Sequence, residues 1–295
     1  MKKSLLLSIV LILLMNLAYS QKQPEFFGRY ISVNDSLIEL PPFDLTLSPL
    51  QMGDRVVPAF STLPKNIQEI NSITPTIIYY DQSVSTNTVR FTYIYMIGNS
   101  DKTFSYAPIG TVPLKIKPLD KQGMFLFKPS KPLITGLYAI YGGEVLGYQG
   151  STSGNISLIW IKHPDQEKIL KVAEDFISAL DNKDYPAVSN LAYVWENNKD
   201  YKVLSEQSAQ KIKRSKLFTG KVIPAAIQEL KSADGTVFYK VFVISYGAFF
   251  TLKLGNLINT EITYDNFMLV CDKADGKLRV MTKPETGGWI FADPK

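Results

Sequence analysis

The sequence predicts a multi-domain chain behind a cleavable leader: an all-β sandwich, then an α+β unit of helices packed on a curved antiparallel sheet. Three observations predict it. The N-terminus has the charge and apolar pattern of an export signal. Residues 21–161 are short apolar-alternating runs broken by Pro, Gly, Asn and Ser. Helical periodicity first appears after Pro164, and strand texture returns from Lys221. Removing a 20-residue leader from 295 leaves 275 residues, more than one usual core of about 100–200, so two domains are expected, at 21–161 and 162–295.

Lys2 and Lys3 precede the apolar run Leu5–Leu17, and Ala18-Tyr19-Ser20 places small residues where a signal peptidase reads them. The run is shorter than the roughly 20 apolar residues of a membrane-spanning helix. Residues 1–20 therefore read as a secretory signal peptide, leaving no membrane span after cleavage. No Cys follows the run, so the lipid-modified cysteine of bacterial lipoproteins is missing. Loss of Lys2 and Lys3 takes the formal charge from +5 to +3. Basic and acidic residues number 11 and 10 in 21–150, and 19 and 17 in 151–295, so neither half carries the basic stripe of a nucleic-acid binder. Cys271 is the only cysteine and cannot close an internal disulfide, so packing alone must hold the fold. That fits a periplasmic or cell-surface protein of a bacterial envelope better than a small secreted scaffold.

The mature chain opens with an expected hairpin, Phe26–Ile31 and Ser36–Leu40 around the turn Val33-Asn34-Asp35. Six strands follow: Thr76–Tyr80, Thr88–Ile97, Val112–Pro118, Gly123–Pro129, Gly136–Gly142 and Ile156–Ile161. Between them Lys65–Ile70 is the one candidate helix. In Arg90-Phe91-Thr92-Tyr93-Ile94-Tyr95 the aromatics share one face, predicting a core side and, with Ile94 excepted, a wet side bearing Arg90 and Thr92. Strands with one apolar face need a second sheet, hence a sandwich.

Ile169, Val172, Ala173, Phe176, Ile177 and Leu180 recur at three- and four-residue spacing and predict an amphipathic helix over 164–180, with Pro164 in its first turn. Asn182-Lys183-Asp184 breaks it, a second helix is expected over Tyr185–Val194, and a third near Ser205–Ser215. Strands are expected at Val222–Leu230, Thr236–Tyr246, Phe249–Leu254, Thr260–Cys271 and Lys277–Thr282. The turns Ala233-Asp234-Gly235 and Ala274-Asp275-Gly276 make two hairpins among them.

The first of these helices with Ala173-Glu174-Asp175-Phe176, the break Asp181-Asn182-Lys183-Asp184-Tyr185 and the second helix resemble the opening of nuclear-transport-factor-two-like domains. That resemblance implies a cone-shaped fold over about 130 residues, in a family of enzymes, ligand-binding domains and exported domains. The stretch Pro132-Leu133-Ile134-Thr135-Gly136-Leu137-Tyr138-Ala139-Ile140-Tyr141, preceded by Val112–Pro118, resembles Ig-like β-sandwich regions of uncharacterised exported bacterial proteins. There a Gly turns the chain and a Tyr locks a strand corner.

Little chemistry assembles from the residue types. His163, the one histidine, precedes a helix-starting Pro and reads as an exposed linker or cap, without the partner and pocket a general base needs. One His and one Cys cannot make a zinc set, and Asp272-Lys273-Ala274-Asp275-Gly276 is too sparse for calcium, so neither metal nor cofactor is expected. Cys271 ends the apolar run Phe267-Met268-Leu269-Val270 and reads as a packing thiol. No Gly-x-Ser-x-Gly elbow is present, and Gly142-Gly143 and Gly287-Gly288 read as turns. The surviving catalytic reading is proton transfer or hydrolysis of a small apolar substrate by a desolvated carboxylate in the C-terminal cone, from Glu261 or Asp265 with Tyr264.

Two binding features stand beside it. Trp195, Tyr246, Phe249, Phe250 and Trp289 form a candidate aromatic pocket, and Lys211, Lys213, Arg214, Lys216 and Lys221 a candidate anion patch. Core packing and a solvated helix end are their plainer readings. Asp35-Ser36-Leu37 resembles an O-glycosylation acceptor of some bacterial envelopes. The expectation is a noncatalytic binding or interaction protein whose partner is an envelope protein, a glycan or a small apolar ligand.

Overall fold

The computed structural model describes residues 23–33, 36–52, 54–81, 88–98, 104–142, 152–196, 200–212, 221–231, 235–246, 266–271, 276–282 and 291–292. The chain is β-rich. Its N-terminal strands are β1 (Gly28–Val33), β2 (Ser36–Glu39), β3 (Pro42–Met52), β4 (Arg55–Ala59), β5 (Gln68–Ile70) and β6 (Thr76–Tyr80). They continue as β7 (Arg90–Gly98), β8 (Phe104–Thr111), β9 (Leu114–Pro118), β10 (Met124–Pro129), β11 (Gly136–Tyr141) and β12 (Thr152–Ile161).

These strands make two sheets. The first has the order β2-β1-β6-β10-β9 and the second β4-β3-β12-β11-β7-β8. The opening hairpin is present, with Val33 paired to Ser36. Strand β12 is shared three ways: it pairs antiparallel with β11 along one margin, while along the other its start meets β3 and its end meets β5 in parallel. Strands β3, β4, β5 and β8 were not among the sequence expectations. The candidate helix at Lys65–Ile70 is not formed. Asn66 takes the left-handed conformation (φ 65°), which interrupts a helix, and Gln68–Ile70 is strand β5.

The two sheets close on a core that includes Ile31, Ile77, Tyr79 and Phe127 from the first and Phe91, Tyr138, Ile140 and Ile159 from the second. The second sheet is buried on its other face too, where Leu45, Leu47, Phe60, Leu137, Ala139, Ile156 and Leu158 cluster. Thr92, expected on a wet face, is therefore only 2 % exposed. The sheet curls until its margins meet: Phe60, just past β4, exchanges two backbone hydrogen bonds with Tyr106 of β8, at 3.0 and 2.8 Å. A polar tie crosses between the sheets, where Arg29 Nη1 donates to Ser157 Oγ at 3.1 Å.

The amphipathic pattern after Pro164 forms α1 (Gln166–Asp181), which buries Ile169, Ala173, Phe176, Ile177 and Leu180. Pro164 lies outside it, before the N-cap Asp165. Lys183 ends the helix in a left-handed conformation (φ 58°), where Asp184 N–H donates to Ala179 O at 2.9 Å. Asp184 then caps α2 (Tyr185–Asn190), its Oδ1 accepting from Ala187 N–H at 3.1 Å.

Helix α2 stops at Asn190 instead of running to Val194. Arg279 Nε donates to Asn190 O at 2.8 Å, and Val280 N–H takes Leu191 O at 2.9 Å. Ala192–Glu196, with its β-branched and aromatic residues, becomes β13. It is followed by β14 (Asp200–Val203) and α3 (Glu206–Ala209), shorter than expected and capped by Ser205.

Strands β15 (Lys221–Lys231), β16 (Val237–Tyr246), β17 (Asn266–Cys271), β18 (Arg279–Thr282) and β19 (Phe291–Ala292) complete the chain. The sheet order is β14-β13-β18-β17-β16-β15, with β19 beside β17. Both expected hairpins, β15–β16 and β17–β18, are antiparallel, but β13 runs parallel to β18. Helix α1 lies across β15 to β18. Its Phe176, fully buried against Val188, Ile227 and Val241 among others, contributes about 1.5–3 kcal/mol through removal from water.

Candidate functional site

The expected aromatic pocket falls only in part on the described residues. Trp195 lies on β13 and Tyr246 ends β16, while Phe249, Phe250 and Trp289 lie outside the described residues. Of the basic set, Lys211 is exposed beyond α3 and Lys221 opens β15; Lys213, Arg214 and Lys216 lie outside, as do Glu261, Tyr264, Asp265, Asn34 and Asp35. Cys271 ends β17 opposite Arg279. Among the described residues no group of three or more His, Cys, Asp and Glu could hold a metal, and no helix is long and apolar enough to cross a membrane.

His163 corrects its sequence reading. It is 5 % exposed, not an open linker, and it has partners. The Asp165 N–H can only donate, so Nδ1, 3.0 Å away, is its acceptor. The ring proton then sits on Nε2 and points to Glu229 Oε2 on β15, 3.1 Å away. The ring edge also meets Tyr239, with centroids 5.2 Å apart. Both nitrogens are thus committed: Nδ1 to a local bond that holds the start of α1, and Nε2 to a bond that fastens the segment after β12 to β15 of the C-terminal sheet. The acceptor for Nε2–H lies 66 residues further along the chain, which is why local sequence could not supply it.

A second fastening lies close by. Thr135 N–H donates to Ile227 O at 2.8 Å, and Ile227 N–H donates to Thr135 Oγ1 at 2.9 Å. Thr135 sits just before β11, and Ile227 lies on β15, the end strand of its sheet. Beside this contact opens a cleft of about 370 Å³, walled by Tyr93 and Tyr95 of β7, by Pro113, by Pro132 and by Gln228 of β15.

The cleft's aromatic wall follows from strand and glycine geometry. Tyr93 and Tyr95 are two residues apart on β7 and so share a face; their rings meet edge to face at 5.2 Å and 79°. Tyr138 backs Tyr93 at 5.1 Å, and its hydroxyl donates to Ile134 O at 2.7 Å, tying β11 to the segment just before it. Two glycines leave room for Tyr93. A Cβ on Gly110 would lie 2.9 Å from Tyr93 Cβ and 3.1 Å from Tyr95 Cε2. One on Gly136 would lie 2.8 Å from Tyr93 Cε2, at a backbone φ of +149° that side chains rarely adopt. A bulge in β8 opposite the Tyr93/Ile94 step turns this end of the hairpin.

The wall is apolar, with Thr111, Ser130, Lys131 and Gln228 supplying polar groups. Such an arrangement holds a ligand by ring contact and orients it by a few hydrogen bonds. Sequence reasoning placed Tyr93 and Tyr95 on a core face and Pro113 and Pro132 in structural motifs; no local signal joins these segments to Gln228. No family model, curated protein or solved structure matches the chain.

Proposed function

We propose that the chain is an exported, noncatalytic binding protein of the bacterial cell envelope. Its ligand, of the small apolar or glycan kind, lodges an apolar ring face in the cleft at the junction. The observation that carries this reading is the crossed Tyr93–Tyr95 pair facing prolines across about 370 Å³, a volume within the range of small-molecule sites, about 300–1,000 Å³. Export is supported by the leader pattern of residues 1–20. A noncatalytic role is supported by the commitment of both His163 nitrogens, one to the local Asp165 N–H and one to Glu229. We read the two sheets before Lys162 as an Ig-like sandwich and residues 162–295 as a nuclear-transport-factor-two-like cone; the Tyr138 corner and the lie of α1 across its sheet support these assignments.

The test is titration with an anilinonaphthalene sulfonate dye on the mature chain. Saturable binding is expected, weakened about two- to tenfold by Tyr95→Ala, as loss of one aromatic contact of about 0.5–1.5 kcal/mol requires. Dye binding that never saturates, or that ignores Tyr95→Ala, overturns the reading.

A further inference from the structure

A second cleft, independent of the junction, opens where β1 and β6 meet the start of β12. It measures about 280 Å³ and is lined by Arg29, Tyr79, Tyr80 and Phe27, with Glu39 and Asp81 among its other walls. Arg29 is held rigidly. Nη1 donates to Ser157 Oγ, and the hydroxyl of Ser157, fully buried, donates in turn to Leu40 O at 3.1 Å. The guanidinium carbon lies 5.4 Å from the Tyr79 ring centroid, which fixes the plane of the fork.

Two contacts occupy one nitrogen and one face, leaving most of the five guanidinium N–H donors without a protein partner among the described residues. No carboxylate of the described residues lies within 4.0 Å of this guanidinium, although Glu39 and Asp81 line the same cleft. A half-buried cation fixed by a serine and a ring, yet given no counter-ion, matches what a carboxylate ligand needs: a planar fork already oriented.

Glu39 selects further. Its carboxylate lines the same cleft with no ion-pair partner among the described residues, so the cleft disfavours a plain anion and favours a ligand that brings its own positive charge. The third part is apolar. Phe27 is 56 % exposed and its ring lies 4.6 Å from that of Tyr80, so an aromatic wall stands open at the cleft's rim. We infer that this cleft binds a small zwitterion with an aromatic body, of the class of a free aromatic amino acid. The carboxylate meets Arg29, the ammonium faces Glu39, and the ring packs on Phe27 and Tyr80.

Calorimetric titration of the mature chain with three probes tests the assignment: L-phenylalanine, phenethylamine, which lacks the carboxylate, and N-acetyl-L-phenylalanine, which lacks the charge on nitrogen. L-phenylalanine is expected to bind at least about tenfold more tightly than either analogue, the size of one charge-assisted hydrogen bond. Arg29→Gln should reduce its affinity to that of phenethylamine, and Glu39→Gln should narrow its advantage over the acetylated probe. Phe27→Ala, at an exposed position that leaves the core intact, should weaken it about two- to tenfold whether or not Arg29→Gln folds. Failure of L-phenylalanine to bind, equal affinity for all three probes, or indifference to Phe27→Ala overturns the inference.

Discussion

Thr135→Val probes the fastening between the two halves of the chain with almost no change of shape. The Ile227 N–H points away from its own hairpin partner and finds its acceptor in the Thr135 hydroxyl at 2.9 Å. Thr135 is 3 % exposed and Ile227 fully buried, so water cannot replace the lost oxygen. A buried donor left without an acceptor costs about 1–3 kcal/mol. With a urea dependence of about 3 kcal/mol/M, the midpoint of unfolding should fall by about 0.3–1 M. Thr135→Ser keeps the oxygen and should fall much less. Amide exchange at Ile227 should quicken in the valine variant alone. A midpoint within about 0.1 M of the parent, or an equal fall in the serine variant, would refute the claim that this hydroxyl satisfies the edge of β15.

His163→Leu removes the acceptor of Asp165 N–H and the donor to Glu229, and is expected to cost about 1–3 kcal/mol in the same denaturation assay. Glu229→Gln keeps an acceptor for Nε2–H and should cost less than about 0.5 kcal/mol, so equal losses would contradict the tautomer assigned above. Gly136→Ala drives a methyl to 2.8 Å from the Tyr93 ring at an unfavourable φ and should lower stability by about 1–3 kcal/mol, read as a fall in melting temperature. It should also loosen dye binding in the adjoining cleft, since Tyr93 must move.

What the sequence made legible was local. Ile169, Ala173, Phe176 and Leu180 announce α1 because helical period is set within one turn. Gly235 and Gly276, both at positive φ, announce their hairpins by the same economy of distance. Strands β3, β4 and β8 escaped because their burial is set by curling of the sheet, not by their own alternation. The second helix was overextended because Ala192 and Val194 fit a helical face as well as a strand; Arg279, from 89 residues away, decides the matter at Asn190. Both clefts lay beyond sequence for the same reason: Arg29 and Ser157 are 128 residues apart, and Gln228 and Tyr93 line one cleft from two different sheets.

The three-way sharing of β12 bears on the order in which the chain can fold. Until Thr152–Ile161 has arrived, β3 lacks the neighbour along its first half, β5 has none, and β11 has only β7. More than a hundred residues thus separate β3 from the segment that secures it, so a nascent chain carries a half-built sheet with Leu45 and Leu47 bare. The keystone comes last, and a truncation anywhere before it should yield not a smaller stable piece but a species that needs a chaperone's grip.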